Sequence, residues 1–205
     1  MAYNHKEVVA NRPSRFTSGH RMCAGCGAPA VARMILRAVK PEDHVVVSNA
    51  TGCMEVSTFL YPYSAWTDSY IHTAFENAAA TLSGVEAAYK AMKATGKLPK
   101  DEVTKFIAFG GDGGTYDIGL QSLSGAMERG HDMLYVCYDN GAYMNTGIQR
   151  SSSTSFWNAS IIHSFPGLNM CLNLFCGFKN SSIGSFLAGL YVIWYTPSTT
   201  SYRGQ

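Results

Sequence analysis

The sequence predicts an α/β fold in which helices flank a parallel β-sheet. Three short runs, over residues 44–48, 105–109 and 133–138, are rich in β-branched or aromatic residues and have the length of buried strands. Helical patterns separate these runs, and an alternation of strands with helices is typical of a parallel sheet that is covered on both faces. The chain has 205 residues, which is enough for one sizeable core.

The predicted helices have recognisable boundaries. Small and apolar residues at helical spacing predict a helix over residues 27–39, and Pro41 follows it as a stop. A second helix is predicted over residues 73–95, where Ala, Glu and Lys are frequent and Gly96 is a natural C-terminal cap. A third is predicted over residues 116–128. Helices and strands therefore alternate along the chain.

Composition and charge exclude several classes of protein. Apolar residues make up 46% of the chain and charged residues 15%, which excludes a solvated disordered chain. A net charge of +2, with scattered basic residues, offers no electrostatic basis for binding nucleic acid. No apolar segment follows a basic start, so no secretory signal is expected. Six cysteines are too few for a disulfide scaffold, and a reducing, cytoplasmic location is predicted.

The chain changes composition abruptly near Phe156. Residues 156–205 contain no Asp or Glu, and their only charged residues are Lys179 and Arg203. We therefore divide the chain into a domain at 1–155 and a low-charge tail at 156–205 whose structure the sequence does not predict. The longest uncharged apolar run of the tail is shorter than the roughly 17–25 residues of a spanning helix. We expect no membrane span, and little order in this tail.

A glycine-rich loop, GGDGG, follows the second predicted strand at residues 110–114. Glycines let the backbone approach a phosphate closely, and the helix that follows offers free N–H groups. Two nucleotide motifs do not fit, because Leu120 and Gln121 replace the Lys-Ser/Thr of a P-loop and Tyr116 replaces the third glycine of the dinucleotide pattern. Asp112 would repel a bare phosphate, so we expect a divalent cation, most naturally Mg²⁺, between them.

Asn140 follows the third predicted strand. Residues 114–139, 26 in number, separate it from Gly113, which is enough for one helix and one strand. This spacing brings Asn140 next to Asp112 at the same edge of the sheet, where ligands bind in open α/β folds. The alternative is a simple strand-to-helix turn at the glycine loop, which leaves the spacing of Asn140 unexplained.

This spacing resembles the diphosphate-binding motif of thiamine-diphosphate enzymes. The strings GHRMCAGCG at 19–27, ATGCMEV at 50–56 and NTG at 145–147 narrow the resemblance to the beta subunits of pyruvate:ferredoxin oxidoreductases (pyruvate synthases). These belong to the thiamine-diphosphate-binding 2-oxoacid:ferredoxin oxidoreductase family. The resemblance covers about residues 5–154, and it implies the pyrophosphate-binding half of the thiamine-diphosphate fold, truncated here and followed by a divergent tail.

The resemblance implies a role for each matching site residue. Mg²⁺ would be ligated by Asp112, the side chain of Asn140 and the backbone carbonyl of Ala142. The diphosphate of thiamine diphosphate would be lined by Gly111, Gly113 and Gly114. Asn145 would be a catalytic residue close to the reactive thiazolium carbon and the substrate. An Asn before Thr-Gly is also a common turn residue, so this alternative stays open.

Three cysteines, Cys23, Cys26 and Cys53, form a second group of candidate site residues. Soft thiolates suit an iron–sulfur cluster or zinc. The resemblance implies a 4Fe-4S cluster on these three cysteines, with Cys53 also close to the thiamine cofactor. The fourth ligand is not identified, because Cys137 lies in a predicted strand and Cys171 and Cys176 lie in the unmatched tail. Structural zinc, with His20 as a conceivable ligand, and plain core cysteines are the alternatives.

The resemblance also implies an activity that needs alpha, gamma and delta type partner subunits. The expected reaction is the reversible oxidative decarboxylation of pyruvate to acetyl-CoA and CO₂ with coenzyme A, in which electrons pass through the cluster to ferredoxin. Three alternatives stay open: a different 2-oxoacid, a related thiamine enzyme without a cluster, and an inactive truncated or frame-shifted remnant. The three cysteines count against the second, and the intact motifs count against the third.

Overall fold

A five-stranded sheet runs through the computed structural model, which describes residues 4–155 and 190–195. Its strands are β1 (His44–Ala50), β4 (Ser69–Thr73), β5 (Thr104–Gly111), β6 (Leu134–Tyr138) and β7 (Leu190–Tyr195). A separate hairpin pairs β2 (Phe59–Leu60) with β3 (Tyr63–Ser64). The strand order of the sheet is β4-β1-β5-β6-β7. The first four of these strands are mutually parallel, and β7 lies antiparallel to β6.

Helices connect the strands. They are α1 (His5–Asn11), α2 (Ala28–Ala38), α3 (Cys53–Thr58), α4 (Ala78–Ala94) and α5 (Leu120–Glu128), and a π-helical turn (Gly113–Asp117) precedes α5. The predicted α/β class, with a parallel sheet flanked by helices, is therefore confirmed.

Two predicted helices differ from the observed ones. The helix predicted over 73–95 begins only at Ala78, because Thr73 belongs to β4, where its hydroxyl donates to the backbone oxygen of Asn49 at 3.1 Å. The helix predicted over 116–128 is divided into the π-helical turn and α5, with Gly119 between them as the N-cap of α5. Strand β4 was not predicted, since its polar residues hide the apolar pattern of a strand.

The sheet has a hydrophobic core on each face. Along β5, Ile107 and Phe109 belong to one core, while Phe106 and Ala108 belong to the other. Residues of α2 complete the first core, and residues of α4 and α5 complete the second. Burial of one large apolar side chain stabilises a fold by about 1.5–3 kcal/mol, so the two cores hold the strand ends, and hence the loops beyond them, in place.

A buried carboxylate joins α4 to the segment before β6. Glu86 is 1% exposed and lies 2.8 Å from Nδ1 of His131, and it also pairs with Lys90. The backbone N–H of Asp132 donates to the same carboxylate at 3.2 Å. Burial by itself raises the pKa of Glu86, but the hydrogen bonds from Lys90 and His131 outweigh it and leave this pKa lowered.

Strand β7 lies in the low-charge region that begins at Phe156. The expectation of little order does not hold for its six residues, which pair with β6. The remainder of that region, including Cys171 and Cys176, lies outside the described residues. Within the part of the chain that the structure describes, no helix is both long and apolar enough to cross a membrane.

Candidate functional site

One pocket lies beyond the carboxyl ends of the four parallel strands. The register pairs Gly111 at the end of β5 with Tyr138 at the end of β6, so Asp112 and Asn140 leave the sheet side by side. The loops after β1 and β4 add Cys53 and Phe75. The pocket is lined by Thr51, Gly52, Cys53, Phe75, Gly111, Asp112, Gly113, Gly114, Tyr138, Asn140, Ala142, Tyr143, Met144, Asn145 and Thr146. The glycines, Asp112, Asn140, Ala142, Asn145 and Cys53, all singled out from the sequence, are therefore together.

The amide of Asn140 faces two oxygen acceptors. Its side-chain oxygen points at the carbonyl oxygen of Ala142 and at Oδ1 of Asp112. Rotation of the amide by half a turn would let its nitrogen donate to them at 2.7 Å and 3.0 Å. With the amide oxygen in that place, three oxygen atoms converge, and a cation between them would relieve their repulsion. A carboxylate, an amide oxygen and a backbone carbonyl are hard oxygen donors, so this set fits Mg²⁺.

Asp112 is deeply buried, with 2% of its surface exposed. Its Oδ2 atom accepts hydrogen bonds from the hydroxyls of Ser151 and of Ser153, the latter at 3.0 Å. Burial raises the pKa of the Asp112 carboxyl, the nearby charge of Asp139 raises it further, and the two serine hydrogen bonds oppose them without cancelling the rise. A buried carboxylate that its protein partners compensate only in part is well suited to receive a metal ion.

The glycine loop packs too closely for side chains. A Cβ atom at Gly114 would lie 3.0 Å from the carbonyl oxygen of Phe75, and one at Gly113 would overlap the ring of Tyr143. The Tyr143 hydroxyl lies 3.0 Å from Oδ2 of Asp117 and 3.3 Å from the carbonyl oxygen of Gly113. The π-helical turn that begins at Gly113 is of a kind that occurs often at functional sites.

Cys53 and Asn145 meet in the wall of this pocket. The Cys53 thiol donates to Oδ1 of Asn145 at 3.6 Å, and Nδ2 of Asn140 lies 3.9 Å from the same sulfur. Burial raises the pKa of the Cys53 thiol, and the charges of Cys23 and Cys26 raise it further. The three cysteines are therefore close enough to interact electrostatically, although Cys53 alone among them lines the pocket.

Cys23 and Cys26 lie on one tight turn. The backbone N–H of Cys26 donates to the carbonyl oxygen of Cys23 at 3.1 Å, and Gly25 has the positive φ of 80° that such a turn requires of its third residue. Nowhere in residues 4–155 and 190–195 do three or more His, Cys, Asp or Glu side chains form a group that could hold a single ion. A 4Fe-4S cluster spaces its thiolates farther apart than one ion does, so the cluster assignment stays a prediction.

His20, considered above as a zinc ligand, has other contacts. Its ring packs on Phe16 at a centroid distance of 5.3 Å, and its Nε2 lies 3.2 Å from the Arg33 guanidinium. These contacts give His20 a role in packing the segment that leads to the cysteine turn.

Sequence reasoning missed the residues that surround Asp112 and the glycine loop. Ser151 and Ser153 contact Asp112, while Ser152 contacts Asp117 through both its hydroxyl and its backbone N–H. A run of five hydroxyl residues at 151–155 has the composition of an exposed linker, yet Ser151 is only 2% exposed. The one available signal in the sequence was that this run of hydroxyl residues follows shortly after the NTG string at 145–147.

Comparison with known proteins gives a consistent picture. The family model for the C-terminal TPP-binding domain of thiamine pyrophosphate enzymes matches residues 50–170, more than half of the chain. The pyruvate synthase subunit PorB of Thermotoga maritima is 63% identical over 139 residues, which are 67% of this chain and 43% of that protein. PorB of Methanocaldococcus jannaschii is 59% identical over 149 residues, covering 73% of this chain and 49% of that protein.

A further relative and one solved structure are less similar to this chain. The ketoisovalerate oxidoreductase subunit VorB of Pyrococcus furiosus is 46% identical over 151 residues, covering 74% of this chain and 47% of that subunit. A solved 2-oxoglutarate:ferredoxin oxidoreductase from Magnetococcus marinus superposes with a TM-score of 0.47 at 21% identity, over 66% of this chain and 43% of that one. The chain thus spans less than half the length of each of these relatives.

Proposed function

The chain belongs to the thiamine pyrophosphate enzymes, whose C-terminal TPP-binding domain it carries, and we propose that it is the beta-type subunit of a pyruvate:ferredoxin oxidoreductase. In this proposal it binds the diphosphate of thiamine diphosphate through Mg²⁺ and carries part of a 4Fe-4S cluster. The observation that supports it best is the convergence of oxygen atoms from Asp112, Asn140 and Ala142 at the carboxyl edge of the sheet.

The metal and the glycine loop divide the binding of the diphosphate between them. Asp112 would supply a negative charge to Mg²⁺, and the oxygens of Asn140 and Ala142 would supply two neutral ligands, for an ion that is usually shared between protein and phosphate oxygens. The missing side chains at Gly113 and Gly114 let the backbone of the loop pack against Tyr143 and Phe75 and line the pocket. The diphosphate is thereby anchored at one end of the pocket.

Thiamine diphosphate, when bound, supplies a nucleophilic carbon and an electron sink for decarboxylation of a 2-oxoacid. Asn145 also lines the pocket, where its amide can orient the substrate by hydrogen bonding. Its present contact with Cys53, at 3.6 Å, places both residues at the same part of the pocket. This part of the pocket is therefore the one where substrate and cluster meet in our proposal.

Cys23, Cys26 and Cys53 would hold the cluster as thiolates. Cys53 brings it to the pocket wall, and the tight turn at Cys23–Cys26 presents two ligands from the neighbouring segment. Burial, and after it the charges of Cys23 and Cys26, raise the pKa of the Cys53 thiol, and a cationic iron centre beside it would favour the thiolate form. A fourth ligand would come from outside the described residues or from a partner.

Substrate and partners are inferred from the relatives. Relatives named pyruvate synthase are 50–63% identical to this chain, and one named for ketoisovalerate is 46% identical, which favours pyruvate over a branched 2-oxoacid. We propose that alpha, gamma and delta type subunits complete the complex, that coenzyme A and ferredoxin are co-substrates, and that the complex is cytoplasmic.

Co-purification with the partner subunits tests this function. The tagged chain is isolated anaerobically from its native cells, and the complex is assayed for thiamine, iron and sulfide. Coenzyme A-dependent reduction of ferredoxin is then measured with pyruvate and with 2-oxoisovalerate. We expect bound thiamine diphosphate and a higher kcat/KM for pyruvate. A complex without thiamine, or one that prefers 2-oxoisovalerate, would contradict the proposal at the cofactor or at the substrate.

A further inference from the structure

We propose that Ser151 and Ser153 restrict Asp112 to a single ligating oxygen and thereby make the metal site selective for Mg²⁺ over Ca²⁺. This inference rests on the proposed function, since it concerns the ion that would hold the diphosphate. Neither serine contacts the ion in this scheme. Both are positioning residues that act through the Asp112 carboxylate.

The two oxygens of Asp112 have different surroundings. Oδ1 faces the Asn140 amide, on the side where the carbonyl of Ala142 also points. Oδ2 faces away and accepts both serine hydroxyls, that of Ser153 at 3.0 Å. A carboxylate oxygen that accepts two hydrogen bonds has little remaining capacity to ligate a metal. Asp112 therefore presents Oδ1 alone to the pocket.

The serine hydroxyls are themselves held in place. The backbone N–H of Ser151 donates to the Thr154 hydroxyl at 2.9 Å, and the N–H of Thr154 returns a bond to the Ser151 carbonyl at 3.1 Å. The Ser153 hydroxyl also lies 2.8 Å from Oδ1 of Asp139, so its one proton is shared between the carboxylates of Asp112 and Asp139, and the same Asp139 oxygen accepts the N–H of Gly141 at 2.9 Å. Such outer hydrogen bonds fix the orientation of a ligand before the metal arrives.

The geometry of the carboxylate distinguishes the two ions. Mg²⁺ requires a near-ideal octahedron and takes one oxygen from each carboxylate, whereas Ca²⁺ accepts a larger number of ligands and often both oxygens of one carboxylate. With Oδ2 engaged, Asp112 offers what Mg²⁺ needs and withholds the second oxygen that would favour Ca²⁺. Removal of a serine hydroxyl frees Oδ2 and lets the carboxylate rotate.

The test uses the full chain and the variants Ser151→Ala, Ser153→Ala and Ser153→Thr. Binding of thiamine diphosphate is measured by calorimetry and by equilibrium dialysis while MgCl₂ or CaCl₂ is titrated. The matched control is Ser152→Ala, which removes a neighbouring hydroxyl that contacts Asp117 instead of Asp112. Circular dichroism establishes that each variant is folded.

We expect each Ser→Ala change at 151 or 153 to weaken Mg²⁺-supported binding about 10–100-fold, the effect typical of losing an outer hydrogen bond to a metal ligand. Ca²⁺-supported binding should weaken less, so the ratio of cofactor affinity with Mg²⁺ to cofactor affinity with Ca²⁺ should fall. Ser153→Thr keeps a hydroxyl and should keep this ratio near that of the unaltered chain. An unchanged ratio in both folded Ala variants, or an equal fall in Ser152→Ala, would overturn the inference. Absence of Mg²⁺-dependent binding in the unaltered chain would instead overturn the proposed function, and the inference with it.

Discussion

Replacement of Asp112 by asparagine removes the charge of the proposed metal site with almost no change of shape. Asparagine keeps an oxygen that can accept the hydroxyls of Ser151 and Ser153, so the surroundings of residue 112 stay satisfied. The variant therefore separates the charge of the ligand from the packing around it. We expect Asp112→Asn to lose cofactor binding and to keep its fold.

The size of the effect follows from the burial of the site. Two unit charges about 4 Å apart interact by about 4 kcal/mol at an effective dielectric constant of about 20. A ligand oxygen lies closer to Mg²⁺ than this, and the asparagine oxygen retains part of the attraction through its dipole. Since each 1.4 kcal/mol is a factor of ten, we expect Mg²⁺-dependent binding of thiamine diphosphate to weaken by roughly a hundredfold to a thousandfold.

Stability should move in the opposite direction. Burial raises the pKa of the Asp112 carboxyl, which means that the metal-free fold disfavours the ionised side chain. At neutral pH the neutral asparagine removes this penalty, so the thermal midpoint of the metal-free chain should hold or rise. Such an exchange of stability for function is common at binding sites.

Calorimetric titration of thiamine diphosphate in the presence of Mg²⁺ measures the first effect, and thermal unfolding without metal measures the second. The matched control is Asp132→Asn, which changes a partly buried carboxyl just before β6, at the opposite edge of the sheet. This control should bind the cofactor normally. Unchanged Mg²⁺-dependent affinity in a folded Asp112→Asn variant would refute the metal site.

Three further predictions concern the cluster, the N-cap of α5 and the buried carboxylate. Cys53→Ser should strongly reduce iron in the anaerobically purified complex and leave thiamine bound; full iron content would contradict the cluster assignment. Gly119→Ala should destabilise the fold by about 1–3 kcal/mol in chemical denaturation, because its methyl would overlap the carbonyl oxygen of Gly114. Gly84→Ala, at an open position in α4, should instead stabilise it by about 0.5–1 kcal/mol. Because the pKa of Glu86 is lowered in the fold, its contribution should be present above its ordinary pKa and decline as the pH falls below it. Glu86→Gln should therefore flatten the acid limb of a stability–pH profile, and an unaltered profile would argue against this contribution.

Much of the site was predictable because its signals are local or depend on simple spacing. Composition and short apolar runs indicate β1, β5 and β6, and parallel strands joined through helices bring their carboxyl ends to one edge. The interval between Asp112 and Asn140 then places both at that edge, as the register of Gly111 with Tyr138 shows. These inferences need only the geometry of regular elements.

Other features were decided by the tertiary structure. Strand β4 carries polar residues and is a strand because it pairs with β1, which no pattern within its own five residues indicates. The contact of Ser151 with Asp112 joins residues 39 positions apart, and the contact of Cys53 with Asn145 joins residues 92 positions apart. Hydrogen bonds between residues so far apart in the sequence depend on the path of the loops. The direction of a side chain in a loop follows from many weak packing contacts. The sequence alone therefore predicted the sheet edge and the oxygen-bearing residues that meet there, while the tertiary structure alone decided which hydroxyls hold the carboxylate in place.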